Sequence, residues 1–365
     1  MDFILPFLTA LVLSSVLMPA MLKLAKKYKF YDLSNERKVH TGAKPYLGGG
    51  AIFLSFIITS LLFLPWDNKM LILLSGGTFY FLLGLIDDKF DVPAKVKLIC
   101  ELAVTSVLVW LGMRYGLFLE NPFGSIGANS VLTWLSIPFS VLWIVGVANA
   151  VNLIDGLDGL ASGVMLIACA TLCIASIISP AVTLIPSLII MMGSILGFFR
   201  YNLYPSKIIM GDSGALFLGY TIAIISLSSY ASSDRSIFLS VIPPAMALFV
   251  PISDTLMAIF RRKKNGAHIF TADKGHFHHL LLSHGYSHPQ VVRIIWGLSA
   301  FFGGISLMLS GLIYKQVYLA LALLVVVVVW AIYSAARFGL FAKPPEAEPM
   351  GQAAAATEDK FPKAQ

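Results

Sequence analysis

Five segments of this chain set carboxylates and carboxamides beside long apolar stretches, where such groups are costly and need a reason. The most specific reads Asn149-Ala-Val-Asn152-Leu-Ile-Asp155-Gly-Leu-Asp158-Gly. Its polar residues recur every third position, a row that an ideal helix would turn by about 60° per step. Gly156 and Gly159 predict a broken or tightly turned backbone instead, which lets all four side chains converge. Asn and Asp supply oxygen ligands, and Asn also donates to a base or sugar edge. A second segment ends an apolar run with Asp87-Asp88 and continues to Asp91, with Lys95 and Lys97 behind it. Carboxylates this close raise each other's pKa unless a cation or metal relieves them. Asp87 and Asp91, four apart, predict a shared helix face.

The other three segments add cations and donors. Asp32 to Gly50 carries Lys44 among other basic residues and runs into Gly48-Gly49-Gly50. It reads either as a solvated basic loop or as an anion-binding mouth, since N–H groups at a helix start attract phosphate. Arg200 to Gly214 holds Asn202, Lys207 and Asp212; Asp212 opens a helix, as its cap or as one more carboxylate at the same level. Arg261-Arg262-Lys263-Lys264 precedes His276-Phe277-His278-His279. Histidines so spaced can bind zinc, yet no Cys or clear fourth ligand accompanies them. Donation to a phosphate fits the basic surroundings better.

Clustered carboxylates suit Mg²⁺, with Mn²⁺ as an alternative, because Mg²⁺ takes one or two carboxylates plus substrate phosphates. A basic ring suits a pyrophosphate leaving group. The combination is the layout for phosphoryl transfer, where catalysis is mostly positioning and charge stabilisation. No G-x-x-x-x-G-K-[ST] and no G-x-G-x-x-G occurs, so ATPase and dinucleotide-binding readings have no support.

The elements that must hold these segments are membrane helices. The chain has 365 residues, 58% hydrophobic and only 12% charged, about half the charge of a soluble protein. Apolar blocks near 3–22, 48–64, 70–86, 96–113, 132–148, 160–178, 181–199, 214–230, 237–260, 291–312 and 316–336 approach the roughly 20 residues that span a bilayer. The expected fold is therefore an all-α polytopic membrane protein of about eleven helices. The first block has only Asp2 ahead of it and its basic residues behind it, the reverse of a cleavable signal, so it is expected to be a permanent helix. With the N-terminus outside, 22 of the 26 Lys and Arg fall on one side, and only Lys69, Arg114, Arg235 and Lys315 on the other. That lopsidedness makes the first side cytoplasmic, with the C-terminus and all five polar segments on it. The net charge of +7 follows from topology and asks for no nucleic acid. Cys100, Cys169 and Cys173 lie in apolar blocks and imply no disulfide framework. Residues 1–342 are expected to form the catalytic membrane domain, and 343–365, rich in Pro, Ala and Glu, a disordered tail.

In these segments the chain resembles the polyprenyl-phosphate N-acetylhexosamine-1-phosphate transferases, in particular the WecA/TagO-like branch, with the MraY type more distant. The resemblance runs from about Asp32 to His279 and rests on the Asn-x-x-Asp-Gly-x-Asp-Gly and His-x-His-His strings together. It implies transfer of N-acetylglucosamine 1-phosphate from UDP-GlcNAc to undecaprenyl phosphate, releasing UMP, at the cytoplasmic face of a bacterial inner membrane. It implies Asp87 as the base toward the lipid phosphate, and Asp212 as a Mg²⁺ ligand with Asp88 nearby. Asn152, Asp155 and Asp158 match positions around the nucleotide, with Asn149 in the same string. Lys95 or Lys97, Asn202, His276, His278 and His279 match groups near the phosphates, and Arg261 and Arg262 a loop that selects the sugar; Asp32, Lys44 and Asp91 complete the expected substrate contacts. A homodimer is an open option. Two departures stand out: Ile209 occupies a position that carries a uracil-stacking aromatic in some relatives, and Gly275 one that often carries a larger polar residue.

Two other readings compete. One keeps the chemistry and changes the sugar to another UDP-N-acetylhexosamine. The other is an ion-coupled transporter, which predicts carboxylates at mid-span and an inverted repeat, whereas these sit at helix ends on one side.

Overall fold

The computed structural model describes residues 3–32, 44–115, 136–178, 185–228, 237–268 and 275–313, together with 322 and 325. In chain order the helices are α1 (Ile4–Lys27), α2 (Gly48–Phe63), α3 (Asn68–Phe90), α4 (Ala94–Arg114), α5 (Ser136–Ile154), α6 (Leu160–Ile178), α7 (Ile185–Asn202), α8 (Gly211–Ser228), α9 (Ile237–Ala247), α10 (Phe249–Lys264), α11 (Phe277–Ser283) and α12 (His288–Ile313). Between α1 and α2 lie the short strands β1 (Tyr31–Asp32) and β2 (Lys44–Pro45), paired antiparallel. Among the described residues eight helices are long and apolar enough to cross a membrane, or up to nine if the bent α9–α10 pair counts as one span; α2, at 16 residues, is a shorter apolar helix. The expected span 316–336 and the expected tail 343–365 lie outside the described residues, save for isolated positions.

The expected span 237–260 is not one helix. It is broken at Leu248 and bent by 85°. Pro251, in the first turn of α10, has no N–H to offer the Ala247 carbonyl, and its ring crowds that group. Pro243 and Pro244 withhold two more donors inside α9.

α8 is the central post. Every residue from Ser213 to Ser228 is buried, and α3 and α5 pack along it with α2 and α9 closing the ring. A helix apolar and buried on all sides reads as the core of a bundle. The last turn of α3 meets the first turn of α8 so closely that a Cβ on Gly84 would stand 2.5 Å from the Asp212 carbonyl and the Ser213 backbone. The segment after β2 is stitched to the stretch before α8: Ile209 donates to the Pro45 carbonyl at 2.9 Å, and Gly48 to the Ile209 carbonyl at 3.0 Å. These joints carry the polar segments to one end of the bundle.

Candidate active site

Asp87 and Asp88 close α3, and the chain turns at Asp91, whose left-handed backbone (φ 52°) ends the helix. Asp91 therefore does not share the helix face expected of it; it is exposed, although it borders the cavity below. Asp87 accepts the Val92 N–H at 2.8 Å through Oδ1 and the Lys97 ammonium at 2.5 Å through Oδ2. Lys97 also reaches Asp212 Oδ2 at 3.2 Å. Because α4 begins at Ala94, Lys97 falls on its inward face while Lys95 is exposed, which decides between the two lysines. Asp88 plays another part. Its two oxygens accept the N–H groups of Asp212 and Ser213 at 2.9 and 3.1 Å, so it caps α8 from outside. The cap is not Asp212, and Asp212, 39% exposed, stays open to the cavity. Tyr46 donates its hydroxyl to the Asp88 carbonyl.

The Asn/Asp row divides. α5 runs on to Ile154, so Asn149 and Asn152 are helical, and only the turn from Asp155 to Gly159 is broken. Asn149 donates to the Val145 carbonyl and to Glu101, an α4 carboxylate with no exposure whose other oxygen has no protein partner. Asn152 lies beside Asp212. Asp155 faces the cavity. Burial, and then the charges of Asp212, Asp88 and Asp158, push its carboxyl up to about 8. Asp158 is shifted the other way. Burial opposes ionisation, but Lys44 at 2.7 and 3.0 Å, with the Ser206 N–H and hydroxyl, outweighs it and holds the carboxyl below its ordinary value. Asn202 is buried and braces this turn through the Gly159 N–H and the Ser162 hydroxyl.

The histidines close the far wall. His278 is buried, with Nδ1 unpartnered within the protein and its ring 4.3 Å from that of His279. Burial first, and then the charge of His279, drive its pKa down to about 4, so at neutral pH it is an uncharged imidazole.

The resulting cavity of about 860 Å³ is bordered by Asp87, Asp88, Asp91, Lys97, Asp155, Asp158, Asn202, Asp212, His278 and His279. Its wall, among the described residues, leaves out Lys44, Lys95, Asn149, Asn152, Arg261, Arg262 and His276. Asp32 ends β1 opposite Lys44 in register. Next to Ile209, the position without the expected aromatic, the wall carries Tyr31 and Tyr46 instead. Glu101 lies within an apolar block, which masks it among the candidate residues in the sequence. The signal was present, since an ionisable residue at membrane depth is itself a site candidate.

Among the described residues no three His, Cys, Asp or Glu side chains stand close enough to hold a metal alone. Mg²⁺ does not need such a cage, because phosphates complete its shell. Asp155 and Asp212 are near enough for charge repulsion and both border the cavity, which fits an oxygen half-shell. Asp88 fits less well, both its oxygens being taken by backbone N–H groups.

The sequence profile of glycosyl transferase family 4 matches residues 70–230. The chain is 36% identical over 325 residues to a probable undecaprenyl-phosphate N-acetylglucosaminyl 1-phosphate transferase of Bacillus subtilis, covering 89% of this chain and 87% of that protein. It is 33% identical to a decaprenyl-phosphate N-acetylglucosaminephosphotransferase of Mycobacterium leprae, over 76% and 77% of the two chains. It is also 31% identical to a phospho-N-acetylmuramoyl-pentapeptide-transferase of Caldanaerobacter subterraneus, over 80% and 92%. With similarity at this level running across most of its length, the chain belongs to glycosyl transferase family 4.

Proposed function

We propose that this protein transfers N-acetylglucosamine 1-phosphate from UDP-GlcNAc to a polyprenyl phosphate, undecaprenyl in a bacterial membrane, and releases UMP. The observation that carries the reading is the Asp87–Lys97–Asp212 cluster, opening on a cavity that Asp155 and two histidines also border. An oxygen of the lipid phosphate attacks the β-phosphorus of the nucleotide sugar, and the bond to the oxygen bridging to the α-phosphorus breaks. Asp87 takes the proton of the attacking phosphate, for which it must exchange its short bond to Lys97 for one to the substrate. Lys97 then bears on the developing phosphate charge. His278, uncharged, serves as a single-proton donor rather than a cation. Asp212 and Asp155 would hold Mg²⁺, which supplies charge neutralisation across the phosphates. The site faces the cytoplasm, on the side where Lys and Arg concentrate.

GlcNAc is favoured over other N-acetylhexosamines because two of the relatives above bear N-acetylglucosamine in their names. The test is UMP release by purified protein in nanodiscs with UDP-GlcNAc, undecaprenyl phosphate and Mg²⁺, each omitted in turn. Release that requires all three supports the reading, and release only from another UDP-N-acetylhexosamine overturns the sugar. Silence with every donor overturns the reaction.

A further inference from the structure

The segment that brings the histidines to the cavity is held by a residue of no evident role in the sequence. Asp254, on α10 six residues past the bend, is 1% exposed. Its Oδ2 meets His276 Nδ1 at 2.9 Å, and its Oδ1 accepts the Phe277 N–H at 2.9 Å. A carboxylate buried beside apolar helices is retained only when its oxygens are satisfied, and both are. α11 begins at Phe277, and the His276 side chain makes no cap bond to it, so Asp254 caps this short helix from outside. An ionised carboxylate can only accept, which puts a proton on His276 Nδ1 and directs Nε2 elsewhere. The His276 ring lies parallel to that of His278, with centroids 5.9 Å apart and planes 10° apart. His276 itself does not border the cavity.

A second contact secures the same joint. Arg261 stands seven residues from Asp254, on the same face of α10. Its guanidinium covers Gly275, where a Cβ would stand 2.5 Å from Nε. The small residue at 275, unexpected from the family resemblance, is what lets Arg261 lie there.

We infer that Asp254 and His276 form a positioning dyad that fixes the Nδ1–H tautomer and the start of α11, and thereby places His278 and His279 in the cavity, His276 touching no substrate. The inference rests on the transferase reading for its kinetic test alone.

Two substitutions at one position separate the roles. Asn puts its Nδ2 where the imidazole Nδ1 was and can still donate to Asp254, whereas Gln puts its donor in the place of Nε2. H276N is expected to keep kcat for UMP release within about threefold of wild type. H276Q and D254N are expected to lose about 10- to 100-fold in kcat, with KM for UDP-GlcNAc within about twofold, as for groups that orient catalytic residues. In D254N the Asn Oδ1 still accepts the Phe277 N–H, so the helix start survives while the tautomer does not. An active H276Q beside an inactive H276N means that Nε2 touches the substrate, and overturns the inference. So does a D254N with wild-type kcat, or a loss that merely tracks the folded fraction seen in thermal unfolding. The imidazole ¹⁵N spectrum needs no substrate. A protonated His276 Nδ1 signal in wild type that is lost in D254N supports the dyad even if no UMP is released, in which case the donor reading alone has failed.

Discussion

Asp155 and Asp158 lie three residues apart in one turn, in a sequence row that treats them alike, yet the fold sends them opposite ways. Asp158 is saturated by Lys44 and by the N–H and hydroxyl of Ser206, and its carboxyl is held below the ordinary range. Asp155 faces like charges across the cavity and is pushed up to about 8. The cause is which cation each can reach. Lys44 leaves β2 on the Asp158 side, and Lys97 is already shared by Asp87 and Asp212. One half of the site is neutralised and rigid. The other carries an excess of negative charge that a divalent cation with phosphates can balance. A carboxylate in the first half organises; one in the second half can react.

That division is tested hardest at Asp87 and Lys97. Asp87→Asn is expected to lower kcat for UMP release by about 10²- to 10⁴-fold, the usual contribution of a general base. Lys97→Met should fall in the same range, because it leaves Asp87 and Asp212 without their shared cation. If Asp158→Asn proved equally damaging to kcat, the contrast between the two halves would be wrong.

Much of this was legible in the sequence. The alternation of Lys and Arg predicted which helix ends share a side, and the described helices fall close to the expected spans wherever the apolar block is unbroken. The clustering of Asp87, Asp155, Asp212 and the histidines was likewise readable, because charge at membrane depth is rare enough to be informative. Partnership was not readable. That Asp88 caps α8, that Asn149 turns away to Glu101, and that Asp254 holds His276 depend on contacts between residues far apart in the chain. The choice of Lys97 over Lys95 needed the helix phase, set by a start at Ala94. The 85° bend at Leu248 is signalled by Pro251, but the apolar run around it reads as one continuous span because membrane bundles also tolerate interior proline.

Gly156 sharpens the comparison from the glycine between the two aspartates. A Cβ there would collide with the His278 imidazole. Gly156→Ala is expected to lower kcat about 10- to 100-fold by displacing that ring, with an overpacking cost of about 1–3 kcal/mol in thermal unfolding. A wild-type kcat would mean that His278 can move without consequence. Asp158→Asn should show the reverse balance. Losing the Lys44 pair is expected to cost about 3 kcal/mol, the low end for a broken buried pair. The kcat should fall by less than about tenfold, within what a displaced but intact turn allows. Denaturation and kinetics on the same preparation separate the two effects.

The smallest effect tests the contrast by pH alone. The Asp155 carboxyl titrates near pH 8 in the fold and near pH 4 in an unfolded chain. The folded protein therefore holds a proton that the unfolded chain releases across that window, and stability present at low pH is lost as pH rises toward 8. Asp158, shifted down, adds stability above its unfolded pKa that is lost as pH falls through the folded one, so its window lies below about pH 4. His278 runs against Asp155 between about 4 and 6.5, because its imidazole must be neutral in the fold, and it adds stability as pH rises there. Other carboxyls of the site also titrate in this range, so the part due to Asp155 is the difference between wild type and Asp155→Asn from pH 6.5 to 8. Without divalent ions, wild type is expected to lose about 1 kcal/mol more across that range than Asp155→Asn, discounted because Asp155 is only half-buried against the cavity. Asp155→Asn should lose less there than wild type, and Mg²⁺ should narrow the difference by balancing the charge that raised the carboxyl. Parallel curves for wild type and Asp155→Asn in chelator would mean that Asp155 finds a cation as Asp158 does, and the two halves of the site would be electrostatically alike.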